Sequence, residues 1–250
     1  MLRTAMNTIY NKIKEKTGQI ALLIDPEKVV FNQNFDNLIE KINLSSIQFV
    51  FVGGSSCNSI QCNEIVSFLK KRIHQPVILF PGSPKQFTKK ADALLYLSLI
   101  SGRNPKYLIG EHVKSAIAIK KSKIEVLSTS YIIINKEIKS SVLTVSNTLP
   151  ISPNEPKKVL QHALAGELQG KKITFLDAGS GAINTIPLST LAYIRSHTSN
   201  PIIIGGGINK ISQIDNFTKL GANVIVIGNA IEKDEKFIDE INHFFEIKKD

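Results

Sequence analysis

The chain has 250 residues, 42% of them apolar, with 31 Lys+Arg against 21 Asp+Glu and a formal net charge of +10. That is enough apolar material for a sizeable core, and the charges are not blocked into long runs, which excludes disorder as the organising state. The opening "MLRTAMNTIYNKIKEK" lacks the apolar core of a secretory signal, and no run approaches the ~20 apolar residues of a membrane span. A cytoplasmic protein is expected.

Taken in chain order, a helix is expected over about residues 1–17, followed by short β-rich runs alternating with longer amphipathic stretches. The expected strands are 19–25, 47–53, 76–80, 93–97, 125–135, 173–178, 201–205 and 223–228. Most are continuously apolar rather than alternating, as strands buried on both faces should be. Helical stretches follow the first two strands as "FDNLIEKI" and "SIQCNEIVSFLKKR". Others precede the last three strands, and "DEKFIDEINHFFEI" closes the chain. Pro156 sits where a first-turn proline is tolerated, and Gly170 and Gly221 stand just past helix ends.

Eight β/α units at this length predict a TIM (β/α)8 barrel, in one domain spanning residues 1–250. An open doubly wound sheet is the competitor and usually carries fewer strands. "YIIINKEIKSSVLTVSN" reads as two strands around "NKEIK", so the fifth unit is expected to carry an extra hairpin.

In a barrel, chemistry gathers where the strands end. After the first strand comes Asp25-Pro26-Glu27-Lys28, and after the second Gly53-Gly54-Ser55-Ser56. The sixth ends in "DAGSGA", the seventh in "GGGI" and the eighth in Gly228-Asn229. Phosphate oxygens are bound by backbone N–H groups that must come close and often need φ > 0, which glycine allows. Matched glycine loops after the last two strands, Gly206-Gly207 and Gly228-Asn229, occupy the recurrent phosphate position of such barrels. Ser180 and Gly181 extend the same pocket; a tight turn is their simpler reading.

Asp25 is either a helix cap or a Mg2+ ligand, since a hard cation takes carboxylate oxygen and bound phosphate together. Ser55 or Ser56 on the neighbouring loop could supply a hydroxyl or hold a metal-bound water. Asp177 could orient or deprotonate a substrate hydroxyl. Lys28 is an anion contact or a surface lysine. No nucleophile is evident: Cys57 and Cys62 lie near no acid–base pair and read as reduced thiols rather than a zinc site. The five histidines fall in helix-like stretches, where solvated or core roles are expected. The basic residues are dispersed and favour anionic partners, but no nucleic-acid motif is present and none is expected to bind.

With these residues in view, "LLIDPEK", "FVGGSS", "PVILFPGSP", "LSLISGRNPKYLIGEH", "FLDAGSGA", "PIIIGGGI" and "VIVIGNAIE" resemble, in order and spacing, the geranylgeranylglyceryl phosphate synthases, second subgroup. The resemblance runs from about residue 18 to 245. It implies a TIM barrel and Mg2+-dependent attack of sn-glycerol 1-phosphate on a long-chain prenyl diphosphate, forming an ether. It places Asp25 and Ser55 at the metal. Gly206, Gly207, Gly228, Asn229 and Ser180 fall at the glycerol phosphate, and Asp177 at the glycerol hydroxyls.

Two residues depart from the family's usual Tyr and Glu: Phe175 lacks a hydroxyl that would touch glycerol phosphate, and Asp177 is one methylene shorter. "ALLYLSLISG" and "NPKYLIGEHVKSAIAI" could line the groove a prenyl tail needs. A transient membrane-surface contact and a homodimer or larger assembly are further expectations. The alternatives are another phosphate-binding barrel enzyme, such as a sugar phosphate isomerase or a thiamine phosphate synthase-like transferase, and an idle phospho-ligand binder.

Overall fold

The computed structural model describes residues 8–54, 57–136 and 146–248. Ser55 and the second strand of the expected hairpin therefore lie outside the described residues, as do residues 1–7 of the expected N-terminal helix.

Eight parallel strands close into a barrel in sequence order. They are β1 (Gln19–Ile24), β2 (Ile47–Val52), β3 (Val77–Leu79), β4 (Ala93–Leu99), β5 (Glu125–Ile133), β6 (Ile173–Asp177), β7 (Ile202–Gly205) and β8 (Val224–Ile227). Closure is made by β1 on β8, with Gln19 opposite Val224 and Leu22 opposite Ile227. Each expected strand is present, within about two residues at its ends.

The apolar runs bury two faces. Along β1, Ile20, Leu22 and Ile24 join the layer between barrel and helices, while Ala21 points inward. Phe49, Phe51, Ile78, Leu95, Leu127, Ile173 and Ile203 complete the packed interior. This two-sided burial is why the strands read as unbroken apolar stretches.

The described helices are α1 (Ile9–Glu15), α2 (Gln33–Leu44), α3 (Ser59–Arg72), α4 (Glu111–Ser122), α5 (Pro156–Leu168), α6 (Leu188–Arg195), α7 (Ile211–Lys219), α8 (Asn229–Lys233) and α9 (Lys236–Ile247). A π-helical turn, Lys106–Gly110, leads into α4. Asn58 caps α3 in a capping box with Gln61. Gly170 and Gly221 have φ of 79° and 85°, the left-handed conformation that ends α5 and α7.

Helix α1 places Ile9 and Ile13 in the barrel-interior cluster. Its first turn is held by Glu125 at the start of β5, whose carboxylate accepts from the N–H of Ile9 (2.9 Å) and Tyr10 (2.8 Å). Glu125→Ala leaves both donors without that acceptor and should cost about 1–3 kcal/mol, read as a lower urea midpoint with faster hydrogen exchange in α1.

Candidate active site

A cavity of about 520 Å3 opens where the strands end. Asp25, Lys28, Phe175, Asp177, Ser180, Gly181, Gly206, Gly207, Gly228 and Asn229 all line it. Parallel topology brings these scattered positions together, because every strand delivers its last residue to the same rim.

One arm of the cavity is polar. At Gly206 and Gly207 φ is 88° and 71°, and at Gly179 and Gly181 it is 92° and 73°. A β-carbon at Gly206 would lie 2.7 Å from the Gly179 nitrogen and 2.9 Å from the Ala178 β-carbon. The loops after β6 and β7 thus touch through bare backbone. The Ser180 hydroxyl meets Asn229 Oδ1 at 3.3 Å, tying in the turn after β8. Gly228 differs: a β-carbon there would meet nothing closer than Leu23 at 3.5 Å, an ordinary contact. The protein has room for a side chain at that position.

Gly206→Ala puts a methyl group on a left-handed backbone against a neighbouring loop. It should cost about 1–3 kcal/mol of stability. Affinity for a small phosphate ligand, glycerol phosphate on the resemblance noted above, should fall at least about tenfold, about 1.4 kcal/mol. Thermal melting and titration calorimetry read the two effects separately.

The floor is aromatic and carries one buried carboxylate. Phe175 stacks on Phe80 with ring centroids 5.2 Å apart, and Tyr131 meets both rings edge-on. Gly205 permits this, since a β-carbon there would lie 3.0 Å from the Phe175 ring. Asp177 is 6% exposed; its Oδ1 accepts from the Gly179 N–H at 2.8 Å and its Oδ2 from the Tyr131 hydroxyl. Burial pushes its carboxyl above the ordinary Asp range, against the opposing pull of these two donors. Tyr131 is pushed well up by burial and by the Asp177 charge, so it stays a neutral donor.

Asp25 directly follows β1, the strand that closes the barrel against β8. Its carboxylate accepts from the Glu27 N–H at 3.1 Å and packs on Gly54, where a β-carbon would lie 2.4 Å from Oδ1. Desolvation raises its pKa. Lys28 does not pair with it; its ammonium binds Glu232 at 2.7 Å, joining the loop after β1 to α8. Among the described residues no group of three or more His, Cys, Asp or Glu could hold a metal ion. Cys57 and Cys62 are buried and free, their sulfurs 3.0 Å apart.

The second arm is mainly apolar. Phe87, Leu94, Tyr96, Leu97, Leu99, Tyr107 and Ile119 line it, with His112 and Ser115. The two stretches expected to form a groove supply most of this wall. His112 is a correction to the solvated or core role expected of all five histidines. It lines the cavity, packs at a tilt against Tyr96 with ring centroids 4.2 Å apart and sets Nε2 2.7 Å from the Leu97 carbonyl. Burial lowers its pKa. Tyr131 and Phe80 are further site residues that the sequence does not single out. A lone phenol at the head of the apolar run "YIII" is the one signal that marks Tyr131.

Fold and site together define a (β/α)8-barrel protein whose mouth joins bare-backbone glycine turns, Asp25, Asp177 and an apolar wall in one cavity. The chain belongs to the PcrB family, whose model matches residues 10–245. Geranylgeranylglyceryl phosphate synthase of Flavobacterium johnsoniae is 42% identical over 243 residues, 96% of this chain and 100% of that protein. The enzyme of the same name from Chitinophaga pinensis is 43% identical over 239 residues, 94% of each. The crystal structure of (S)-3-O-geranylgeranylglyceryl phosphate synthase from Thermoplasma acidophilum, in complex with substrate sn-glycerol-1-phosphate, superposes with a TM-score of 0.87. That pair is 26% identical, covering 95% of this chain and 96% of the other.

Proposed function

We propose that this protein is a Mg2+-dependent prenyltransferase that joins sn-glycerol 1-phosphate to geranylgeranyl diphosphate, releasing diphosphate and forming geranylgeranylglyceryl phosphate for lipid synthesis. The observation that carries the reading is the continuity of one cavity from the glycine loops to the apolar arm. An isomerase of small sugar phosphates has no use for the second arm. The similarity to enzymes of that name supports the choice among phosphate-binding barrels.

In this reading Gly206, Gly207, Gly228, Asn229, Ser180 and Gly181 hold the glycerol phosphate through main-chain amides and the serine hydroxyl. Asp177 accepts the proton of the attacking glycerol hydroxyl. The new C–O bond forms at the allylic carbon as the bond to diphosphate breaks. Tyr131 holds the carboxylate through Oδ2, and each carboxylate oxygen keeps a lone pair able to take the proton. The Phe80–Phe175 pair presents π-electron density to the floor, where allylic positive charge develops.

The donors near Asp25 fit Mg2+. A partly desolvated carboxylate whose neighbouring lysine is ion-paired to Glu232 suits an ion that takes one or two carboxylates and completes its shell with substrate phosphate and water. Ser55 is the second protein ligand proposed. When bound, such an ion supplies neutralisation of the departing diphosphate charge. A homo-oligomer, dimer or larger, belongs to the same proposal.

Incubation with Mg2+, labelled sn-glycerol 1-phosphate and geranylgeranyl diphosphate tests the reading. Label moving into an organic-extractable phosphate ester supports it. Binding of glycerol phosphate without turnover would instead leave an idle ligand binder.

A further inference from the structure

The π-helical turn and α4 carry two unlike faces. Tyr107, Glu111, His112, Ser115 and Ile119 line the cavity. The outer face carries Ile109, Val113 and Ile117, which are 58%, 69% and 72% exposed. Their four-residue spacing makes one stripe along the helix. Exposed Lys106, Lys114, Lys120 and Lys121 border it. From His112 to Ile124 there is no acidic residue, and Glu111 at the near end is paired by Lys114 at 2.9 Å. A barrel helix normally turns its apolar stripe inward. Here a histidine and a serine face in while three large aliphatic side chains face out.

We propose that this face docks on an anionic lipid bilayer. An apolar stripe flanked by lysines is the composition that settles at headgroup depth, with aliphatic groups in the acyl boundary and ammonium groups on lipid phosphates. A second copy of the chain fits less well, because a two-fold contact sets a patch against itself and would oppose lysine to lysine. The net charge of +10 adds long-range attraction to the same surface. Docking would bring the bilayer to one side of a helix whose other side is the cavity wall, about 10 Å away. The usefulness of that proximity rests on the prenyl-transfer reading; the docking itself does not.

Flotation of the full chain with phosphatidylglycerol-rich and with pure phosphatidylcholine vesicles tests this without any turnover. Binding is expected to the first only, and to weaken as salt is raised. The Val113→Asp/Ile117→Asp variant should lower the partition coefficient at least about tenfold, and Lys120→Glu/Lys121→Glu should lower it about fivefold per lysine. Both variants should keep the wild-type melting temperature and sedimentation mass. Absence of binding by the wild type, or equal binding by the variants, overturns the proposal. A fall in sedimentation mass on Val113→Asp/Ile117→Asp also overturns it, by assigning the face to a second copy.

Discussion

Asp177→Asn should lower kcat by about two to four orders of magnitude, the usual worth of a positioned proton acceptor. The affinity for glycerol phosphate should change little, because the amides that hold the phosphate belong to other residues. The physical reason lies in the burial of Asp177. Desolvation raises its carboxyl, so it ionises later than an ordinary aspartate and is a stronger base once ionised. Because the ionised form is the base, the rate should rise with pH through this raised pKa. Tyr131→Phe sharpens the test. The phenol stabilises the charged carboxylate, and its loss should move the acidic limb of kcat to higher pH. A tyrosine that merely packed would lower the rate equally at every pH, and that result would remove Tyr131 from the proton-accepting pair.

The second large effect is expected at Asp25. Asp25→Asn keeps the shape of the side chain and its place against Gly54 but removes the charge. Turnover should fall about a hundred- to thousandfold, the scale seen when a group stabilising departing charge is lost. Glycerol phosphate should still bind within about a factor of two of wild type, since the groups proposed to hold it are main-chain amides and the Ser180 hydroxyl, none of them contributed by Asp25. Raising Mg2+ should recover part of the loss if the defect is weakened metal binding. Turnover at the wild-type rate would remove Asp25 from the metal site.

Most of the barrel is legible in the amino-acid sequence. Runs such as "PIIIG" and "NVIVIG" are apolar without alternation because each strand packs on the interior with one face and on helices with the other. The glycine turn after β7 is legible for a similar reason: Gly206 and Gly207 stand where backbone must bend left-handed and touch another loop. Helix α4 is harder to see. Its large aliphatic residues point outward and its inner face is partly polar, so apolar periodicity no longer reports which side is buried. Tyr131 is illegible because its role depends on β5–β6 register. Tyr131 stands opposite Phe175 and two residues from the partner of Asp177, a relation between segments more than forty residues apart.

Phe175 brings no hydroxyl to the floor, and Asp177 is short. The structure sets the Tyr131 phenol directly on the shortened carboxylate, on a ring packed edge-on to Phe175. A hydroxyl is therefore present at the floor, delivered by β5 rather than β6.

The most direct measurement is a crystal structure of the protein with sn-glycerol 1-phosphate bound. Phosphate oxygens are expected within about 3 Å of main-chain nitrogens at residues 206–207 and 228–229, with the glycerol hydroxyls turned toward Asp177. A phosphate seated beside Asp25, with those amides facing only water, would contradict the anion cradle and the assignments built on it.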